Sequence, residues 1–211
     1  MRLLLVAIGV LCSTAALAQE EPENNVPKNR DKTINRHLGF FLRLDLGGGY
    51  LTASEPTNGP DNLTISGLAG AFGFGIGGAV AENTILSFHL YDGVALNPNV
   101  SLGSSSGSTN NSSLTMIGYG LGITQYVMPA NVYVSVTPAL TRISATANGN
   151  DSTSNWGFGG SLALGKEWWV SDHWGLGIVA HVDGSWNTDS GSGKPTLTTY
   201  VLGLSFSATF N

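Results

Sequence analysis

The chain has 211 residues, a formal net charge of -5 and only 11% charged residues, where an ordinary soluble domain carries about 25%. That deficit argues against a disordered chain, which needs high charge and few aromatics, and against a soluble globule, whose surface wants about 25–35% charged residues. The negative balance argues against a nucleic-acid-binding surface.

The first 18 residues read as an export signal. Arg2 gives a positive start, Leu3 to Leu11 an apolar stretch, and Ala16, Leu17 and Ala18 a small-residue cleavage site. Cys12, the sole cysteine, lies inside this segment. Leu11 before it is not the small residue that lipidation there would need, so the mature chain is expected to carry no disulfide and no thiolate chemistry. Residues 19–37 hold Glu20, Glu21, Glu23, Lys28, Arg30, Asp31, Lys32 and Arg36 with Pro22 and Pro27. This composition predicts a solvated, flexible extension.

From residue 38 the pattern changes to period two. In the first run Leu42, Leu44, Leu46 and Tyr50 alternate with Phe41, Arg43, Asp45 and Gly47. Leu68, Phe72, Phe74, Ile76 and Val80 then alternate with Gly and Ala, and Leu86, Phe88 and Leu90 alternate with Ser87, His89 and Tyr91. Ile117 to Thr124 and Val132 to Leu140 give a fourth and a fifth run, the latter interrupted by Pro138, which predicts a bulge or a strand end. Trp156 to Trp168, Trp174 to Trp186 and Tyr200 to Phe210 complete eight. Each run reads as a strand of roughly 9–12 residues with one apolar and one small or polar face, about what a tilted strand needs to cross a bilayer. The links alternate as well. Four are long and polar, over 54–61, 97–113, 145–154 and 187–195, and three are tight, around 82–83, 129–130 and 171–173. Long loops on one side and short turns on the other are the plan of a membrane barrel.

The apolar face is assigned to lipid. Pointed inward, the Leu, Phe and Trp of eight strands would overfill a barrel, and a surface of Gly, Ala and Ser would be poorly hydrated. Pointed outward, they meet hydrocarbon while closure pairs every backbone group. Trp168, Trp169 and Trp174 flank the third short turn, and Trp156, Trp186 and Tyr200 lie beside the long loops, so two interfacial aromatic belts are expected.

On strand count, loop asymmetry, aromatic belts and the last strand, residues 38–211 resemble the small eight-stranded outer-membrane barrels of Gram-negative bacteria, the group with the OmpX-like proteins and the OmpA membrane domain. The resemblance implies an all-β, eight-stranded antiparallel transmembrane barrel built as an up-and-down meander. It also implies outer-membrane location with a periplasmic N-terminus, contact with lipid and lipopolysaccharide, and recognition of the terminal strand, with Phe206 and Phe210, by the barrel-assembly machinery. Asn211 after Phe210 departs from the usual aromatic ending.

Arg43, Asp45, His89, His181 and Asp183 are the ionisable groups expected on the inner face, and buried charge needs partners. They are read as a polar network plugging the lumen, with a gate or ion path as the alternative. His181 and Asp183 suggest part of a hydrolase site, but Ser185, on the same face, lies about 13 Å along the strand, so no catalysis is expected. No metal or cofactor is expected. Gly73 to Gly78 fits a dinucleotide fingerprint, but inside a strand and opening no helix; Gly103 to Gly107 fits a nucleophile-elbow pattern, but inside a Gly/Ser/Asn-rich loop. The expected role is structural, or surface interaction through the long loops with an unidentified extracellular ligand. A narrow pore and a lipid-modifying enzyme are the alternatives.

Overall fold

A computed structural model describes residues 36–189 and 196–211. The expected signal peptide, residues 19–35 of the extension and most of the last long link lie outside them. Among the described residues there are eleven strands and no helix. Eight of them form the wall: β1 (Phe40–Pro56), β2 (Asn62–Ala81), β3 (Thr84–Leu96), β6 (Ser112–Val127), β7 (Val132–Ala147), β9 (Gly157–Trp169), β10 (Trp174–Thr188) and β11 (Thr196–Phe210). Each pairs antiparallel with its neighbours along the chain, and β1 pairs with both β2 and β11, so the sheet closes. Closure leaves no wall strand with an unpaired edge, the condition for sheet in a medium without water.

The wall strands run from 13 to 20 residues, longer than the roughly 9–12 expected from the alternation and more than the roughly 9–11 that cross hydrocarbon. The excess lies at the long-loop ends. There the short strands β4 (Asn99–Leu102) and β5 (Ser105–Ser108) form a hairpin that extends from β2, and β8 (Asn150–Thr153) folds back on β7. Asn148 and Gly149, between β7 and β8, both have positive φ, as a two-residue hairpin turn requires. These polar loop segments form strands because their backbones pair with wall strands already in place, a long-range effect that local composition does not carry.

Pro138 does not make the bulge or strand end expected of it. It sits inside β7 opposite Gly160 of β9. On the β6 side the pairing stops at Gly120↔Ala139 and resumes at Ile123↔Val136, three steps along both strands, so rungs are lost without a change of register. The register shift occurs instead between Ala79 and Ala81, where β2 approaches its short turn.

The two faces separate as the alternation predicts. Leu44, Leu46, Leu68, Phe88, Leu121, Val136, Phe158, Leu164, Ile178, Leu204 and Phe206 are among the exposed large apolar residues around the wall, while Phe41, Leu51, Ile85, Met116, Tyr133 and Val201 are fully buried inside. On the outer face, Asp92 of β3 and Arg142 of β7 stand opposite Ile117 from its two sides, toward the long-loop end.

Leu204 is 69% exposed and pairs with Gly48 and Ala180, away from either strand end. Leu204→Lys is expected to cost about 2–4 kcal/mol of folding free energy in lipid vesicles. A titration that finds this lysine neutral would reverse the assignment of faces.

Candidate functional site: the layered lumen

The inner face sorts into layers. At the long-loop end Leu51, Ala53, Tyr91, Leu114, Met116, Ile143 and Val201 belong to one apolar cluster. At the short-turn end Phe41, Ile85, Tyr126, Tyr133 and Val179 belong to a second. The ionisable groups expected in the lumen lie between them.

Large inward side chains stand opposite glycine. Tyr91 faces Gly118, Tyr133 faces Gly165, His89 faces Gly75 and Gly120, and His181 faces Gly203 on the neighbouring strands. A Cβ on Gly118 would lie 2.3 Å from the Tyr91 ring, and one on Gly165 would lie 2.3 Å from that of Tyr133. Gly75, Gly118, Gly165 and Gly203 are thus the space into which these rings lie across the strand.

Arg43 is fully buried. Its guanidinium lies 4.8 Å from the Tyr133 ring centroid and 5.6 Å from that of Phe41. Its Nη2 is 3.4 Å from His89 Nε2, and its Nε is 3.5 Å from Asp45 Oδ2. The structure therefore brings Arg43, Asp45 and His89 together. His181 and Asp183 form a second pair, with Nδ1 to Oδ2 at 2.8 Å. Arg43 makes no ion pair with Asp183; its carboxylate neighbour is Asp45.

The short-turn end holds groups that the alternation pattern did not single out. Glu167 is buried and accepts hydrogen bonds at Oε1 from Thr209 at 2.7 Å and from Tyr126 at 3.2 Å. Its period-two spacing from Ala163 and Gly165 was the available signal. His37 is also fully buried, although it falls in the segment expected to be solvated. Its ring stacks on Tyr126 at 3.5 Å, its Nε2 lies 2.8 Å from Asn131 Oδ1, and its backbone N–H donates to Asn83 Oδ1. No sequence signal distinguishes His37 from its polar neighbours; the barrel mouth selects it.

The aromatics expected in the two belts divide between the faces of the wall. Trp156, Trp168, Trp174, Trp186 and Tyr200 are exposed on the outer face. Trp186 packs edge-on against Tyr200, and Trp174 against Phe210. Trp169 instead shares the inward parity of Gly165 and Glu167, is half-buried and tilts against His37 at 5.0 Å. Phe206 is outward and highly exposed, whereas Phe210 is tucked among Phe40, His173 and Trp174.

With a closed eight-strand wall and an outward apolar band established, the class is decided. The fold is that of the small eight-stranded outer-membrane β-barrels. No protein-family profile matches the chain, and no curated protein matches it. Among solved structures it is similar to the Neisserial surface protein A, with 14% identity, a TM-score of 0.48, and coverage of 82% of this chain and 96% of that one. It is also similar to the outer membrane protein OprG of Pseudomonas aeruginosa, with 13% identity, a TM-score of 0.43, and coverage of 84% and 99%. A third is the outer membrane protein AlkL in lipid bilayers, with 14% identity, a TM-score of 0.45, and coverage of 92% and 97%.

Two outcomes test the layered lumen. Gly165→Ala should cost about 1–3 kcal/mol through overpacking, and the cost should shrink when Tyr133 is shortened to Val in the same barrel. In double-mutant cycles Arg43→Ala should couple to Asp45→Ala by about 0.5–3 kcal/mol and to Asp183→Ala by much less. Equal coupling to both carboxylates would mean that the two charge pairs act as one.

Proposed function

We propose that this chain is an integral outer-membrane barrel with a closed lumen, acting as a structural wall element whose long loops meet partners at the cell surface. The observation that supports it best is the apolar band. Exposed Leu, Phe, Val and Ile side chains occur on all eight wall strands, far beyond the few hundred Å² of contiguous apolar patch that a soluble monomer exposes. Lipid covers such a band without cost, and water does not.

Orientation follows from the ends. The short turns, Glu82–Asn83 among them, belong on the periplasmic side together with the N-terminal segment at Arg36 and His37, and the long loops belong outside. These loops carry Ser104, Ser105, Ser106, Thr109, Asn110 and Asn111 in one run, hydrogen-bonding groups suited to a polar ligand or to lipopolysaccharide sugars. The terminal strand with Phe206 would engage the assembly machinery. The two apolar clusters above and below the polar layer support a lumen closed to solutes, since an ion would have to cross both.

The protein should fractionate with outer membranes, resist carbonate and urea extraction, and run at a heat-dependent position on gels. Recovery in the soluble periplasm would overturn the reading. In planar bilayers the refolded barrel should give no steady single-channel conductance; discrete ohmic steps would favour the narrow pore instead.

A further inference from the structure

The long-loop mouth holds a cup whose floor is the apolar cluster at that end of the lumen. Ala53, Leu114 and Ile143 of that cluster, with Ile65 and Leu197 packed against it, line a cavity of about 170 Å³. The rim is polar. Glu55, the next inward position beyond Ala53 on β1, lines it together with Ser152 and Asp189. Ser152 is there because β8 folds back on β7 and sets it opposite Ala145. The side toward β10 is tied down, since Asn155 Nδ2 donates to the Asp189 carbonyl and the Asn155 N–H to that of Thr188. Glu55 is half-buried and Ser152 is exposed, so the cup opens at the long-loop end. The charges there are one-sided among the described residues. Asp189 lies close enough for its charge to act on Glu55, Asp61 ends the first long link and Asp151 lies on β8. Arg142 is on the outer face, its Nε donating to the Ser154 carbonyl and its guanidinium 5.5 Å from the Trp156 ring centroid.

We propose that this cup binds a small hydrophobic cation, an ammonium carried on one benzene-sized group, with its ring on Leu114, Ile143 and Leu197 and its charge at Glu55 and Asp189. Size sets the apolar part: an apolar cavity of about 150 Å³ takes one benzene molecule, so the floor here accepts a single ring. Charge sets the head. A cation beside the two carboxylates favours their ionised forms, whereas an anion of the same shape adds a third like charge. A neutral ring fills the floor and leaves the carboxylates unanswered. A metal ion leaves the floor bare, and no group of three or more ligating side chains that could hold one occurs among the described residues. Only a molecule with both parts uses the whole cup. The inference deepens the surface role proposed above and rests on its orientation, which puts this mouth outside the cell.

The test titrates phenethylammonium into the refolded full chain in a nonionic detergent, with leucine and isoleucine methyl groups labelled for NMR. The methyl resonances of Leu114, Ile143 and Leu197 should shift saturably, and those of Leu204 on the outer face should not. Phenethyl alcohol should bind about tenfold more weakly, the loss of a charge-assisted contact, and hydrocinnamate should give no saturable shift. Glu55→Gln with Asp189→Asn in one chain should lower the affinity for the cation by about the same factor and leave that for the alcohol unchanged. Ala145→Phe, which fills the cup from its wall and spares both carboxylates, should abolish the shifts; where it fails to fold, Leu197→Phe takes its place. The heat-dependent gel position of the wild-type chain tests the barrel reading by itself. A folded barrel whose Leu114 and Ile143 methyls do not respond overturns the proposal. So do Leu204 shifts as large as theirs, equal binding of hydrocinnamate, or an affinity indifferent to loss of both carboxylates.

Discussion

Closing eight strands into one cylinder fixes how much can lie inside it. A barrel of this size leaves an interior only wide enough for side chains to fill, so each large inward group must be matched by something small across the strand. The pairing of Tyr91 with Gly118, Tyr133 with Gly165 and His181 with Gly203 meets that condition. It also accounts for much of the glycine in the wall. Gly73 and Gly75 lie on the inner face of β2 because the Asp45 carboxylate of β1 and the His89 ring of β3 occupy the volume their side chains would need, and Gly77 lies against Ser87 of β3.

The same constraint places the charges. A guanidinium in so narrow a space can neither be hydrated freely nor reach far, and an unpaired one would be costly. Arg43 lies against two aromatic rings with Asp45 and His89 at its head. Apolar clusters flank this layer at either end, and low-dielectric surroundings strengthen the interactions inside it. At the short-turn end, Glu167 with Tyr126 and Thr209, and His37 stacked on Tyr126, complete the filling. The lumen is thus a core turned inside out, with polar groups at its centre and apolar ones above and below, enclosed by a wall whose outer face is apolar.

That inversion links the structure to its setting. The outer face needs lipid, the long-loop end needs water, and Trp156, Trp168, Trp174, Trp186 and Tyr200 are exposed on that outer face. The extra strand pairs β4–β5 and β7–β8 carry the sheet beyond the band and give the polar loops a rigid base.

The period-two pattern by itself determined the number of wall strands and the face of nearly every wall residue, because alternation depends only on neighbouring positions along the chain, and the spacing between the runs set the alternation of long and short links. It also placed Arg43, Asp45, His89, His181 and Asp183 on the inner face. Arg43 with Asp45 and His181 with Asp183 are each two residues apart on one strand, so alternation alone set those pairs side by side; which groups of other strands join them was decided by register, information that no single strand contains. Register brought His89 of β3 to Arg43, and the tertiary fold drew His37 into the barrel mouth and carried Pro138 through mid-strand without a bulge. Ser205 shows the difference most plainly. It lies 24 positions from His181 along the chain, and only the antiparallel return of β11 beside β10, with a glycine opposite the imidazole, sets the two side by side.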